Sequence, residues 1–315
     1  MFFFAKKFHI KFIEMSKIRV AVVGYGNIGK YSVEAIRKST DMELAGVVRR
    51  QSSCKDIPAE LKDILIVSDI QDFGKVDIAL LCCPTRSVPE FANQYLKLGI
   101  NTVDSYDIHG ESLWNLRQQL DATSKKHKTV SILSAGWDPG SDSIVRVLME
   151  AIEPNGITYT NFGPGMSMGH TVAVKSKEGV RNALSMTIPV GMSKHNRMVY
   201  VELEPGVDFA SVEKAIKTDA YFTKDDTTIK QVDDVNVLIN TEHGVLLERK
   251  FSTDLVKEPV MEYKMRINNP ALTAQIMLSC GRATMRLQPG AYTMPEIPVI
   301  DMLPGDRESL IKRLV

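Results

Sequence analysis

From residue 17 to residue 133 the chain alternates short apolar runs with longer stretches in which apolar residues recur every three or four positions. KIRVAVV, residues 17–23, is apolar and β-branched, the pattern of a strand buried on both faces of a parallel sheet. A helix is expected over 28–38, a strand over 43–48, a short strand over 63–67 and another over 77–81. Residues 88–98 read as a helix with Pro89 in the first turn, where its missing N–H costs nothing. A strand at 101–103, a polar helix at 111–127 and a strand at 129–133 complete the series. Strands alternating with helices in this way predict a doubly wound α/β domain.

After Gly136 the pattern changes. A helix over 141–150 leads to strands at 157–162 and 198–203 and a short helix at 209–217. Met261, Tyr263, Met265 and Ile267 alternate with Glu262, Lys264 and Arg266, the period of a half-buried antiparallel strand. This part reads as an α+β domain whose sheet has one exposed or partner-covered face. Residues 271–286, rich in Ala, Leu and Met, read as a helix that returns to the first domain. The expected division is a tail at 1–15, a first domain at 16–136 joined by 270–315, and a second at 137–269.

Composition narrows the class. At 315 residues with a formal net charge of +1, nothing draws the chain to nucleic acid or to an anionic membrane. The four cysteines, Cys54, Cys82, Cys83 and Cys280, form no CxxC pair and no metal-ligand spacing. No disulfide and no metal site are expected, and reduced thiols point to the cytoplasm. No apolar run reaches membrane-spanning length. In the first fifteen residues Lys6, Lys7, His9 and Lys11 interrupt the phenylalanines, so the segment lacks a signal-peptide core and reads as a tail.

Chemistry enters at GYGNIG, residues 24–29, directly after the first strand and opening the first helix. Alone such a motif is weak; between strand and helix it is the dinucleotide fingerprint of a Rossmann domain. Gly24 permits the tight turn, Gly26 the close approach of a pyrophosphate, and Gly29 the packing of helix on strand. Tyr25, Asn27 and Ile28 complete the turn, whose backbone N–H groups favour anions. Where an NAD enzyme carries an acidic residue after the second strand, this chain has Arg49 and Arg50. Guanidinium groups suit a 2′-phosphate, so NADP is the expected cofactor. Two solvated surface arginines are the bland alternative.

Two later strand ends belong to the same edge. Cys83, Pro84, Thr85 and Ser87 follow one, and Ser105 and Tyr106 the next; all six are cofactor-binding candidates. A nucleophilic role for Cys83 is disfavoured, because no neighbouring base is identifiable. Asp107 and Asp138 also lie beyond strand ends, as catalytic candidates or as turn and cap residues. Trp137 is core or a pocket wall.

AVVGYGNIG, VDSYDIHG, SAGWDPG, NFGPGMSMGH, ALSMTIP and RINNPALTAQ, in this order from residue 17 onward, resemble the corresponding blocks of the meso-diaminopimelate dehydrogenase family, in its shorter-chain subgroup. The resemblance implies NADP-dependent oxidation of meso-2,6-diaminopimelate at its D-centre to L-2-amino-6-oxopimelate and ammonia, reversible, in lysine biosynthesis, by a homodimer. It implies that Asp107 and Asp138 serve the reacting amine, and that residues 137–269 bind substrate and dimerise. Trp137, Phe162, Met168 and Gly169 would line the pocket, and Thr187, Arg197, His243 and Asn269 would anchor the distal L-centre. Arg197 suits a carboxylate because its fork engages both oxygens. Each also has a bland alternative: a surface ion pair for Arg197, a loop histidine for His243, a strand residue for Thr187, a helix cap for Asn269.

Two other readings compete. One is a different two-domain NADP oxidoreductase of the sugar or dihydrodipicolinate reductase kind; the chain has Asp104 to Asp107 where sugar dehydrogenases of this architecture carry a catalytic lysine. The other is a non-catalytic NADP-binding regulator, which needs no substrate motifs in its second domain.

Overall fold

The structure, a computed structural model, describes residues 17–54, 57–238, 242–251 and 260–315; the expected tail lies outside the described residues. In chain order the elements are β1 (Ile18–Val23), α1 (Asn27–Lys38), β2 (Met42–Val48), β3 (Ile66–Val67), β4 (Ile78–Leu81), α2 (Val88–Lys97), β5 (Asn101–Asp104), α3 (Glu111–His127) and β6 (Val130–Leu133). They continue with α4 (Ser141–Ile152), β7 (Ile157–Phe162), β8 (Gly165–Met166), α5 (Met168–Lys175), β9 (Val180–Gly191), β10 (Lys194–Leu203), α6 (Phe209–Lys217) and β11 (Asp226–Gln231). The last are β12 (Glu242–Lys250), β13 (Val260–Asn268), α7 (Asn269–Thr284), β14 (Gly290–Thr293) and α8 (Arg307–Leu314).

Seven strands form a parallel sheet in the order β14-β6-β5-β4-β1-β2-β3. Its central strands are apolar on both faces because each face carries helices. Val20 and Val22 of β1, with Ile78 and Leu80 of β4, pack toward Val33 and Ile36 of α1 and Met277 and Leu278 of α7. Ala21, Val23, Ala79 and Leu81 point the other way, toward Ala92 and Leu96 of α2 and Leu116 and Leu120 of α3. The fold is thus a doubly wound α/β unit, with α7 packed on it and β14 added at its edge.

The rest of the chain carries two smaller sheets, β11-β10-β9-β8 and β13-β12-β7, where the sequence pattern led us to expect one. β9, β11 and β12 were invisible in the pattern for separate reasons. Pro189 interrupts β9, and proline in a run argues against a strand. β11 is an edge strand with only Ile229 buried. In β12 the His243-Gly244 start and the charged end obscure the alternation of Val245 and Leu247. The strand expected at 63–67 shortens to Ile66–Val67, which stand opposite Val47 and Val48 of β2.

Candidate active site

Backbone register builds one wall. Val23 stands opposite Val48 and opposite Leu81, and Leu81 opposite Asp104. β2, β1, β4 and β5 therefore end level, and the segments at 24–29, 49–50, 82–87 and 105–107 leave one edge of the sheet. Gly24 adopts φ +96°, and its N–H donates to the Val48 carbonyl at 2.9 Å. A Cβ there would lie 2.6 Å from the Cys82 carbonyl oxygen, and one on Gly29 would strike the Gly24 backbone. Beside Gly26 the space is open to 4 Å. Gly26 caps α1, whose first turn has no acidic residue. Tyr25 and Ile28 tuck partly against the core and Asn27 is exposed. The cradle fits a pyrophosphate on geometry and charge alike.

Arg49 and Arg50 follow β2 directly, Arg50 exposed and Arg49 half-buried. Val48, the residue before Arg49, accepts the Gly24 N–H, so Arg49 leaves the sheet beside the glycine turn. Cys83 is partly buried and its thiol is pushed up to about 11 by burial, so at neutral pH it is no nucleophile. Pro84 accepts from the Ser87 N–H at 2.8 Å, closing a tight turn that presents Thr85. The Thr85 hydroxyl donates to Asp107 Oδ1 at 2.7 Å, tying the segment after β4 to the segment after β5. Asp107 is exposed and caps no helix; Gly110 caps α3. Ser105 and Tyr106 continue from Asp104, which is fully buried. Asp104 Oδ1 accepts from the Tyr106 N–H at 2.9 Å and the Ser134 N–H at 3.0 Å.

A second wall begins after β6. Gly136 sits between Ser105 and Thr273 of α7, and Thr273 donates to Asn269 at 3.1 Å. Asn268, not Asn269, caps α7: its side chain accepts the Ala271 N–H at 3.2 Å. Asn269 is left at the first helical position, beside the segment after β6. Asp138 forms an ion pair of 2.5 Å with Arg146, which also reaches Thr160 of β7. Gly140, rather than Asp138, caps α4.

Trp137 is buried and packs edge-on against His243 (centroids 4.8 Å) and Phe162 (5.5 Å). The Phe162 N–H donates to His195 Nε2 at 2.9 Å. Gly163 carries φ +100° and donates to the Gly244 carbonyl at 2.7 Å, pulling β12 against the turn after β7. His243 is therefore a buried strand residue, not a loop one. Thr187 and Arg197 are cross-strand partners. The Arg197 guanidinium donates to Thr187 Oγ1 and to Asp225, the latter at 2.6 Å. It is largely buried rather than part of a surface pair. Burial, and then the Arg197 charge, lower the imidazoles of His195 and His243, and of His170 to about 4. A guanidinium braced by Asp225 and Thr187, with imidazoles nearby held toward their neutral forms, is suited to a carboxylate.

Met168 and Gly169 open α5. Met168 packs on Met166 and Leu184, and Gly169 lies against the Tyr221 ring. Tyr221 closes the circuit: after burial, Asp107 is the largest influence raising its phenol, and Arg86 opposes it. Charges of the nucleotide edge, Asp107 and Arg86, thus act on the ring that lies beside Gly169. Sequence reasoning missed Arg146, His195, Tyr221 and Asp225; His195 and Asp225 have partners about thirty residues away, and no local motif marks any of the four. A hollow of about 430 Å³ at Asp77 and Asn101 lies at the opposite, amino edge of the sheet, away from the ligand edge of such folds. Among the described residues no group of three or more His, Cys, Asp or Glu could hold a metal ion, and no helix is long and apolar enough to cross a membrane.

A nucleotide cradle on a doubly wound sheet, with further sheets that gather Arg197, Thr187 and His243, fits the class of two-domain Rossmann oxidoreductases. Residues 18–106 match the family described as "Oxidoreductase family, NAD-binding Rossmann fold", and residues 136–193 match "Diaminopimelic acid dehydrogenase C-terminal domain". The chain is 58% identical to the meso-diaminopimelate D-dehydrogenase of Bacteroides fragilis over 301 residues, 96% of this chain and 100% of that protein. It superposes on the Corynebacterium glutamicum diaminopimelate dehydrogenase in complex with diaminopimelate with a TM-score of 0.84, at 29% identity, covering 96% and 100% of the two chains. An engineered D-amino acid dehydrogenase bound to NADP+ matches with a TM-score of 0.82 at 28% identity, covering 95% and 100%. The chain belongs to the meso-diaminopimelate D-dehydrogenase family and is an oxidoreductase of that family.

Proposed function

We propose that the chain, with NADP+ as hydride acceptor and one water as the source of the new carbonyl oxygen, oxidises meso-2,6-diaminopimelate at its D-centre to L-2-amino-6-oxopimelate and ammonia, and runs the reverse reductive amination in lysine biosynthesis. The observation that carries this is a cluster in which Arg197 donates to Thr187 and Gly163 lies against Thr187 and bonds Gly244, next to His243, together with Asp107 on the nucleotide edge. A long dicarboxylate with two amino-acid ends needs both. A hydride carrier is supplied by NADP, which the glycine cradle and Arg49-Arg50 fit; the relative bound to NADP+ supports the same choice. The remaining work falls to the chain. Asp107 and Asp138 hold the D-centre amine, and a carboxylate there takes up its proton. Arg197 takes the distal carboxylate, while Thr187, His243 and Asn269 orient that end. Trp137 and Phe162, with Met168 and Gly169, wall the middle of the pocket and exclude water. Residues 137–269 form the substrate and dimerisation unit, and the active form is a homodimer.

Ammonia-dependent oxidation of NADPH by the purified protein with L-2-amino-6-oxopimelate tests this reading. Turnover is expected with NADPH, and Asp107→Asn and Asp138→Asn should lower kcat about a hundredfold or more while leaving NADP affinity intact. Near-normal kcat in both variants would reduce these residues to structural roles.

A further inference from the structure

Asp142 is not among the residues to which the proposed reaction assigns work. It stands in the first turn of α4 and is fully buried, and neither carboxyl oxygen completes a hydrogen bond among the described residues. Trp137 is tied to it through the backbone: the Asp142 N–H donates to the Trp137 carbonyl at 3.0 Å. The Trp137 indole N–H is likewise buried without a hydrogen-bond partner of normal geometry, yet it acts on the Asp142 carboxyl and lowers its pKa. Two buried polar groups without partners among the described residues, one a strong acceptor and the other purely a donor, thus stand on residues that a backbone hydrogen bond joins. Each left alone carries a desolvation penalty that mutual pairing removes.

We propose that Asp142 is a positioning residue: its carboxylate takes the Trp137 indole N–H and so fixes the ring against which Phe162 and His243 pack. This rests on the reading of Trp137 as a wall of the diaminopimelate pocket. The groups facing Asp142 are Asp138 and Arg146 from its own segment and Tyr263 from β13, and His243 of β12 faces the indole. Burial, with the neighbouring Asp138 charge, pushes Asp142 up to about 7. The charge-assisted bond is then made above neutral pH and weakened below it, so the wall stiffens in the alkaline range. A merely helix-stabilising Asp142 at the start of α4 would affect stability but not the environment of the indole.

The chain has two tryptophans, and Trp114 is half exposed on α3. In Trp114→Phe protein, Trp137 is the sole emitter, and its fluorescence should titrate with a midpoint near 7. The transition should vanish in Trp114→Phe/Asp142→Asn, an isosteric change that keeps the fold. His243, lowered below its usual value, would report at more acid pH. In kinetics above pH 8, Asp142→Ala, which removes the acceptor, should raise KM for meso-diaminopimelate about tenfold with kcat within about twofold and NADP affinity unchanged, whereas Asp142→Asn, which keeps a neutral acceptor, should do much less. A transition near 7 that persists without Asp142 overturns the proposal, as does an unchanged KM in Asp142→Ala protein of normal thermal stability. If the wild-type protein does not turn over diaminopimelate, the functional reading fails, while the fluorescence titration still decides the role of Asp142.

Discussion

Two arginines carry the residue-scale argument. Arg49 leaves β2 beside the glycine turn, where a ribose 2′-phosphate would lie, and a guanidinium there forms charged, forked hydrogen bonds. Arg49→Ala should weaken NADP binding by about 1.5–3 kcal/mol, roughly ten- to a hundredfold, with little effect on NAD. Titration calorimetry with both nucleotides measures the gap, and equal binding of NAD and NADP by the unmodified protein would remove the assignment. Arg197 differs in being braced: Asp225 and Thr187 hold its fork before any ligand arrives. Arg197→Ala should raise KM for diaminopimelate strongly and do much less to D-amino acids that lack a distal carboxylate. A uniform loss over all substrates would point to a damaged hairpin instead, because Asp225 would be left without its partner.

At the scale of elements, the return of α7 to the parallel sheet depends on one ion pair as well as on apolar packing. Arg282, near the end of α7, donates to Asp41 at 2.7 and 2.8 Å, just before β2 begins. The Arg282 hydrogen bond holds Asp41 down to about 2 against the opposing effect of burial. A depressed carboxylate contributes stability that is present above its unfolded value of roughly 4 and is lost as pH falls through the folded one. Asp41→Ala should cost about 2 kcal/mol at pH 7, less than a fully buried pair because Asp41 keeps some contact with water. The penalty should shrink toward pH 2; thermal unfolding at pH 7 and pH 3 measures both. Elements were also where the sequence was most and least readable. α3, α6 and β7 could be bounded from pattern alone, because Gly110, Asp208 and Gly156 mark their starts. β9 and β11 could not, since their pairing with β10, not their own alternation, makes them strands.

The whole molecule decides what happens to buried charge. Asp104 terminates β5 in the interior, and burial raises it to about 6 despite two backbone N–H donors. A carboxylate raised in the folded state costs nothing below its unfolded value near 4, and its full penalty applies above the folded one. Asp104→Asn keeps an acceptor for the Tyr106 and Ser134 N–H groups and should raise stability by about 2 kcal/mol at pH 8 and hardly at all at pH 4. An equal gain at both pH values would mean that the carboxyl is not the strained group. By itself the sequence determined the doubly wound sheet, the glycine turn and the arginines after β2, because strand, turn and helix signals there are local and contiguous. It also carried the family, through motifs that keep their order along the chain. Only tertiary structure decided that Trp137, Phe162 and His243 share a wall, that Arg197 is braced by Asp225, that Arg146 holds Asp138, and that Asp142 lies buried beside an indole. Those contacts join residues up to about a hundred positions apart, and burial and pairing between sheets exist only once the chain has closed on itself.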